Sequence, residues 1–216
     1  MIRKIKNIIW DLLNSIHLGG PVQLILKSGL KEDGWFNSYK TKMSIDNKGN
    51  PIPWNTYPFI KFIESRLKSN FDIFEFGSGN STLWYAPRVK SVKAVENEKT
   101  WFEKISKSMP DNVELIHRDL ADDDKYVNEI AVDNKKYHLI IVDGRNRVES
   151  VKASIPNLRE DGVIVFDNSD LPIYEEAHNI LSGKGFKKID FIGLSPVTAH
   201  TNYTTIFYKD NNCLGI

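Results

Sequence analysis

Residues 72–82 read Asp72-Ile-Phe-Glu-Phe-Gly-Ser-Gly-Asn-Ser-Thr82, and this stretch decides the fold. Its apolar, aromatic-rich start is typical of a strand that is covered on both faces. Gly77 and Gly79 allow a tight turn in which no side chain keeps a ligand from the backbone. The last three residues are types favoured at helix starts, where free backbone N–H groups point at a ligand. The stretch therefore predicts a strand, a turn and a helix that build a cofactor site.

Strand-like and helix-like segments alternate through most of the remaining chain. Strands are expected at 71–76, 91–95, 113–116, 137–142 and 162–166, and helices at 59–68, from 81 to the proline at 87, at 98–108, within 121–131, and at 148–158 and 174–183. This order predicts an α/β fold with a doubly wound, mainly parallel sheet. Two last strand-like runs, 186–192 and 203–208, have no helix between them, which indicates an antiparallel pair at one edge.

Residues 1–53 are expected to form an N-terminal segment in front of a domain at 54–216. Apolar residues recur at helical spacing in residues 1–16, which predicts an amphipathic helix. This helix either packs against the domain or a second subunit, or lies on a membrane surface. Residues 18–53 are rich in Gly, Pro, Asn, Lys and Asp and are expected to be an irregular cap or arm.

Composition sets limits on the function. The 216 residues are 41% hydrophobic and 26% charged, which is typical of a soluble globular protein. The net charge of +1 gives no overall field that favours nucleic acid, and a nucleic-acid substrate is not expected. Cys213 is the only cysteine, which fits a reducing cytoplasm. No segment is long and apolar enough to span a bilayer.

Carboxylates lie at or beside the end of every one of the first five predicted strands. In an open α/β sheet, ligands bind outside the carboxyl ends of the strands. The strand-end segments are Glu75-Phe-Gly-Ser-Gly79, Glu96-Asn97, His117-Arg-Asp119, Asp143-Gly-Arg145 and Asp167-Asn168. Their shared position predicts one acidic site at this edge of the sheet.

Glu96 and Glu75 favour a cationic adenosine cofactor. Glu96 lies about 20 residues after the glycine turn, where an acid can accept hydrogen bonds from both hydroxyls of a ribose; alternatively, it stabilises the following helix through the helix dipole. Thr82 takes the place of the third glycine of a dinucleotide turn, and Glu75 would repel a pyrophosphate. Glu75 would instead attract the amino group or sulfonium of S-adenosylmethionine. A nicotinamide-dependent oxidoreductase is therefore disfavoured.

Over about residues 54–210 the chain resembles the class I S-adenosylmethionine-dependent methyltransferases. The matching residues are Glu75-Phe-Gly-Ser-Gly-Asn-Ser-Thr82, Ala94-Val-Glu-Asn97, Asp119, Leu139-Ile-Ile-Val-Asp-Gly144 and Gly162-Val-Ile-Val-Phe-Asp-Asn168. The resemblance implies a Rossmann-like sheet of seven strands whose last strand is inserted antiparallel. It also implies that Glu75, Gly77, Gly79 and Ser81 surround the methionine part of the cofactor, Glu96 the ribose and Asp119 the adenine. The expected cofactor-binding residues are Glu75, Gly77, Ser78, Gly79, Asn80, Ser81, Thr82, Glu96, Asn97, Asp119 and Asp143.

A narrower resemblance concerns a metal. Asp143, Asp167 and Asn168 are similar to the three metal ligands of the catechol-type O-methyltransferases, and their hard oxygens suit Mg²⁺. Such a metal would lower the pKa of a substrate hydroxyl. This chain has Asn146 where those enzymes have a lysine. In the alternative interpretation, Asp143 bridges to the cofactor and the other two residues cap a loop.

Three residues are candidates for the general base by type: Asp143, Asp167 and His200. His200 lies in the loop before the final strand and either faces the site or is solvated. Trp54 and Tyr57 lie in a proline-stiffened segment that either closes over the cofactor or packs structurally.

Together these observations predict a cytoplasmic S-adenosylmethionine-dependent methyltransferase that acts on a hydroxyl of a small molecule or sugar. The alternative is a non-catalytic protein of the same fold, which binds a partner through its N-terminal helix and arm. Whether the chain forms a homo-oligomer is left open by the sequence.

Overall fold

One β-sheet organises the fold. The structure, a computed structural model, describes residues 2–121 and 124–216. The strands within these residues are β1 (Asp72–Phe76), β2 (Ser91–Glu96), β3 (Val113–His117), β4 (Tyr137–Val142), β5 (Leu158–Asp167), β6 (Lys187–Gly193) and β7 (Asn202–Tyr208). They form one seven-stranded sheet in the order β3-β2-β1-β4-β5-β7-β6.

Strand β7 is antiparallel to both of its neighbours, whereas the pairs among β1 to β5 are parallel. The last strand is thus inserted between β5 and β6. The prediction of a doubly wound, mainly parallel sheet that ends in an antiparallel pair is confirmed.

The helices of the described residues are α1 (Ile2–Ser15), α2 (Gly19–Leu26), α3 (Gly29–Glu32), α4 (Trp35–Thr41), α5 (Tyr57–Glu64), α6 (Asn80–Tyr85), α7 (Lys99–Ile105), α8 (Lys125–Asn128), α9 (Arg147–Asn157) and α10 (Glu175–Gly183). None of them is long and apolar enough to cross a membrane.

Two apolar layers enclose the sheet. Successive residues of a strand point to opposite faces, so Ile73 of β1 joins one buried cluster and Phe74 and Phe76 join the other. The first cluster contains Phe59 of α5, and the second contains Leu181 of α10. All five residues of β1 are buried, as expected for a strand that is covered on both faces.

The N-terminal segment differs from the expectation. An irregular cap was predicted for 18–53, but the structure has three short helices there, α2, α3 and α4. The glycines and the proline at 19–21 suggest irregular structure, but they form the first turn of α2, where these residue types are tolerated. The Ser28 hydroxyl caps α3 by accepting the N–H of Lys31 at 3.1 Å. The division of the chain at residues 53 and 54 stays a prediction.

Contacts with later parts of the chain hold α4 in place. Gly34 has φ +86°, and a Cβ there would lie 2.3 Å from the Asp46 carbonyl carbon. The Ser38 hydroxyl donates to the Ile45 carbonyl at 2.6 Å. The indole N–H of Trp35 donates to the Thr198 carbonyl at 2.7 Å, in the loop between β6 and β7. These long-range bonds explain why local sequence patterns did not reveal this helix.

Other boundaries shift by a few residues. Helix α5 begins two residues before the predicted start, since Pro58 fits the first helical turn, and it ends at Glu64 rather than at 68. The predicted helix at 98–108 is α7 followed by a short 3₁₀ helix, with Glu98 as its N-cap. Within 121–131, the structure has α8 and a 3₁₀ turn, and the part of that prediction at 122–123 lies outside the described residues.

Candidate cofactor site

The glycine turn after β1 touches the loop after β4. Gly77 has φ +97°, and a Cβ on it would lie 3.2 Å from the Gly144 nitrogen and 3.3 Å from its Cα. Side chains rarely adopt this backbone conformation, so a glycine is needed here. The Gly77 N–H also donates to the Val95 carbonyl at 2.8 Å, which ties the turn to β2. The turn is therefore fixed against the two neighbouring strand ends.

Glu75 lies beneath this turn, fully buried. Its carboxylate accepts hydrogen bonds from the hydroxyls of Ser81 and Thr82, the latter at 2.6 Å. Burial raises the pKa of Glu75 to about 7; the two hydroxyls oppose this rise, and the charge of Glu96 adds to it. Glu75 is thus a carboxyl group behind the turn that is only partly ionised near pH 7, and Ser81 lies between it and the cavity.

Glu96, at the end of β2, is buried, and one of its carboxylate oxygens is hydrogen-bonded to the backbone. One carboxylate oxygen accepts the N–H groups of Asn97 at 2.9 Å and Glu98 at 2.8 Å. The other oxygen accepts the Ser78 hydroxyl at 2.7 Å. The backbone bonds fix the orientation of the carboxylate. Ser78 is a rotatable hydroxyl, so the second oxygen can take a ligand hydroxyl in its place.

A cavity of about 800 Å³ opens over the carboxyl ends of β1, β2 and β4. Six of the predicted site residues line it: Gly77, Ser78, Ser81, Glu96, Asn97 and Asp143. The volume falls within the range of pockets for small molecules and cofactors. The residues predicted from separate strand ends thus share one concave site.

A second cavity of about 420 Å³ adjoins the first. Both share Trp54, Ser78, Ser81, Trp101 and Asp143 as lining residues. Gly79 and Asn80 line only the second cavity, as do residues 41–44 from the end of α4 and the loop after it. The N-terminal segment therefore forms part of the site wall.

Six predicted residues line neither cavity: Glu75, Thr82, Asp119, Asp167, Asn168 and His200. Thr82 is buried behind the turn with Glu75. Asp119 is exposed, and its carboxylate accepts the N–H of Ala121 at 2.9 Å. His200 is exposed in the loop before β7, and its carbonyl accepts the Asn202 side-chain amide at 3.0 Å. Neither Asp119 nor His200 lines either cavity, so the structure does not bring them to the other site residues.

The two aromatic residues that were expected either to close over the cofactor or to pack structurally have different surroundings in the structure. Trp54 is 47% exposed and lines both cavities. Tyr57 is buried at the start of α5, where its N–H donates to the Leu194 carbonyl at 2.9 Å. Trp54 thus belongs to the wall of the cavities, whereas Tyr57 is part of the core.

The guanidinium of Arg147 spans the ends of β4 and β5. One terminal nitrogen donates to the Asp143 carbonyl at 2.8 Å and to its Oδ1 at 3.1 Å. The other donates to the Asp167 carbonyl and to the Asn168 Oδ1, the latter at 3.1 Å. Its Nε donates to the Gly144 carbonyl at 3.0 Å. A fixed cation thus sits among the three residues predicted to bind a metal.

These residues do not fit a Mg²⁺ site. Arg147 takes up oxygens of Asp143 and Asn168, and its charge would repel a second cation. The third candidate, Asp167, accepts the Thr204 hydroxyl at 2.7 Å through its Oδ1. No group of three or more His, Cys, Asp or Glu residues that could hold a metal occurs in the described part of the chain. The expected similarity to the catechol-type enzymes is a prediction that this geometry does not support.

Burial also raises the pKa values of Asp143 and Asp167. The pKa of Asp143 lies well above its usual value because of burial and, to a smaller extent, repulsion from Asp167. The charge of Arg147 opposes this rise. Burial likewise raises the pKa of Asp167, against the hydrogen bond from Thr204. Of these two aspartates, Asp143 lines both cavities and Asp167 lines neither.

Sequence reasoning missed Trp101 and the role of Arg147. Trp101 lies on α7, lines both cavities, and donates its indole N–H to the Ser78 carbonyl at 3.0 Å. Its position five residues after Glu96, on the helix that follows β2, is a signal that could have found it. Arg147 lies three residues after Gly144, but its bonding to β5 depends on the tertiary structure.

No model of a protein family matches this chain, and a search of curated proteins gives no match either. Solved structures do match. A precorrin-6y C5,15-methyltransferase from Geobacter metallireducens aligns over 80% of this chain and 96% of its own, with a TM-score of 0.58 and 15% identity.

Two further solved structures give similar results. A precorrin 8w decarboxylase from Methanobacterium thermoautotrophicum aligns over 70% of this chain and 88% of its own, with a TM-score of 0.53 and 17% identity. A methyltransferase-like protein from Silicibacter pomeroyi aligns over 73% of this chain and 89% of its own, with a TM-score of 0.50 and 16% identity. At such identities the likeness concerns the fold. This chain has the Rossmann-like methyltransferase fold.

Proposed function

We propose that this protein is an S-adenosylmethionine-dependent methyltransferase. The observation that carries the proposal is Glu96, which lines the cavity beside Ser78 and whose carboxylate is oriented by two backbone N–H groups. A ribose diol that displaces the Ser78 hydroxyl would gain charge-assisted hydrogen bonds to the carboxylate oxygen that now accepts that hydroxyl. The position of Glu96 beside the glycine turn supports this role, because nucleoside cofactors bind there in sheets of this kind.

Charge supports a cationic cofactor. Glu75 lies beneath the turn and Asp143 lines the cavity next to it. The amino group and the sulfonium of S-adenosylmethionine are both positive, so each would be attracted by the buried Glu75 and the half-buried Asp143. A pyrophosphate at the same turn would meet repulsion instead. The charges therefore favour the methyl donor over a nicotinamide dinucleotide.

The methionine part of the cofactor would lie over Gly77 and Ser81, and the ribose at Glu96. For the adenine, Asn97 and Trp101 line the cavity, whereas the predicted residue Asp119 is exposed away from it. An aromatic face stabilises a stacked base. We therefore assign the adenine to the Asn97 and Trp101 side of the cavity.

We propose a hydroxyl of a small molecule or sugar as the methyl acceptor. A bound S-adenosylmethionine would supply the methyl group and keep the electron pair of the broken carbon–sulfur bond on sulfur. Asp143 would accept the proton that the hydroxyl loses, which would leave the methyl ether, S-adenosylhomocysteine and a protonated carboxyl. A raised pKa makes Asp143 a better proton acceptor than an ordinary aspartate. Arg147 holds this carboxyl in position without a metal ion.

The direct test is calorimetry with S-adenosylmethionine. The wild type is expected to bind it, and Glu96→Ala to bind it at least tenfold more weakly, because one charge-assisted hydrogen bond contributes about 1.5–3 kcal/mol. Glu103→Ala is the matched control, since Glu103 is an exposed acid on α7 outside both cavities. An unchanged affinity of the Glu96 variant would remove Glu96 from the ribose role, and no wild-type binding would refute the cofactor.

Catalysis is tested with methyl-labelled cofactor. Incubation with sets of sugars, small alcohols and phenols is expected to give a labelled ether, and total RNA is expected to give none. Cofactor binding without transfer to any set would favour the non-catalytic alternative. Transfer to RNA would contradict the predicted exclusion of nucleic acid. A parallel titration with NADH is expected to show no binding.

A further inference from the structure

Helix α1 carries an apolar stripe that faces solvent. Ile5, Ile8, Ile9 and Leu12 recur at three- and four-residue spacing and therefore lie on one face of the helix. Their exposed fractions lie between 52% and 67%. Single exposed apolar residues are common, but a contiguous stripe of them marks an interaction surface.

Helix α2 extends this surface. Gly19 begins α2 so close to α1 that a Cβ on it would lie 1.8 Å from the Asn14 Oδ1, and the Leu18 N–H donates to the Leu13 carbonyl at 2.8 Å. The two helices are thus joined by a tight connection. At the end of α2, residues Leu24, Ile25 and Leu26 are exposed as well. We call α1 and α2 together the N-terminal apolar surface.

The charge around this surface differs from that of the rest of the protein. The helices of this surface contain three basic residues, Arg3, Lys4 and Lys6, and one acidic residue, Asp11, which gives a net charge of +2. The whole chain has a net charge of +1, so the remaining residues carry −1. The exposed apolar residues are therefore accompanied by a local excess of positive charge.

We propose that the N-terminal apolar surface binds to the surface of an anionic phospholipid bilayer. An amphipathic helix with lysines beside its apolar face lies in the plane of the interface, with that face among the acyl chains. The 14 residues of α1 extend about 21 Å, too short to cross a hydrocarbon core of about 30 Å. A second copy of this surface is a poorer partner, because it would bring another charge of +2 against the first.

Cosedimentation with vesicles tests the proposal. The full chain is mixed with vesicles of phosphatidylcholine alone and of phosphatidylcholine with 30% phosphatidylglycerol, about a third of the lipid carrying charge. The bound fraction is expected to be substantial only with the anionic vesicles, and to fall as NaCl is raised from about 0.05 to 0.5 M, because salt screens the attraction. This readout does not depend on the proposed methyl transfer.

Two sets of variants distinguish the contribution of the apolar side chains to vesicle binding from that of the positive charges. Ile8→Asp with Leu12→Asp is expected to weaken binding roughly tenfold or more, because both side chains lose their place in the lipid. Lys4→Gln with Lys6→Gln keeps the stripe and is expected to weaken binding about tenfold on anionic vesicles only. Val132→Asp is the matched control, since Val132 is a 66% exposed apolar residue outside this surface, and it should bind like the wild type.

Two results would overturn the proposal. One is that the wild type binds neither kind of vesicle, or binds neutral and anionic vesicles equally, while circular dichroism shows that all variants are folded. The other is a stable dimer by light scattering that the Ile8→Asp and Leu12→Asp changes dissociate, which would assign the surface to a second copy. A monomer that binds anionic vesicles, with the variants ordered as above, would support it.

Discussion

Replacing Glu75 by glutamine separates stability from cofactor binding. The side chain is fully buried, and its pKa lies near 7 in the folded protein against an ordinary value of 4.5. The folded protein therefore holds this proton more tightly than the unfolded chain, so the contribution to stability is complete below the unfolded pKa and is lost as the pH rises to about 7. A shift of this size corresponds to about 3 kcal/mol at pH 8.

Glu75→Gln has nearly the shape of the protonated side chain and cannot ionise. The variant and the wild type should therefore have similar free energies of unfolding at pH 4.5, and the variant should be more stable by about 3 kcal/mol at pH 8. Urea denaturation followed by tryptophan fluorescence at several pH values measures this difference. Glu103→Gln, at an exposed position on α7, is the control.

The same variant should bind S-adenosylmethionine more weakly, because the negative charge beneath the turn is gone. A protein that is more stable at pH 8 yet binds its cofactor at least several-fold less tightly would be the signature of a functional buried charge. Stability curves that stay parallel from pH 4.5 to 8 would refute the pKa argument. Unchanged affinity would leave Glu75 with a structural role.

Three further predictions concern Arg147, the metal and the glycine turn. Arg147→Leu should lower the free energy of unfolding at pH 7 by about 1–3 kcal/mol, because it leaves the half-buried Asp143 carboxyl without its cation, and a loss under 1 kcal/mol by urea denaturation would contradict this. Wild-type methyl transfer should be insensitive to a chelator, and inhibition by EDTA that added Mg²⁺ reverses would restore the metal hypothesis. Gly77→Ala should cost about 2 kcal/mol from its positive φ alone. Gly183→Ala, where nothing lies within 4 Å of the added Cβ, should be nearly neutral by the same measurement.

The strands were predictable because their apolar runs are short, buried and closed by polar residues. Strand β4 was predicted with its observed bounds, and β1 to within one residue. The helices between 19 and 41 were not predictable, because they are short and depend on distant contacts. Trp35 bonds to Thr198, more than 160 positions along the chain, and no local pattern contains that information.

The site was predictable in part for the same reason. Glu96 and Asp143 could be found as strand ends, since parallel strands bring their carboxyl ends to one edge. The sequence could not show that these residues do not fit a metal site, because this depends on hydrogen bonds that Arg147 makes at the ends of two different strands. His200 was suggested by residue type alone, and type does not determine which way a loop turns.

The inserted position of β7 has a consequence for synthesis on the ribosome. β7 follows β6 in the chain but lies between β5 and β6, with antiparallel pairing to both. While the chain emerges, β5 presents an unpaired edge and β6 has no neighbour until residues 202–208 have left the exit tunnel. Such an edge is a template for pairing with other chains. The order of the strands thus makes nascent chains that stop before β7 the form of this protein most exposed to misassembly.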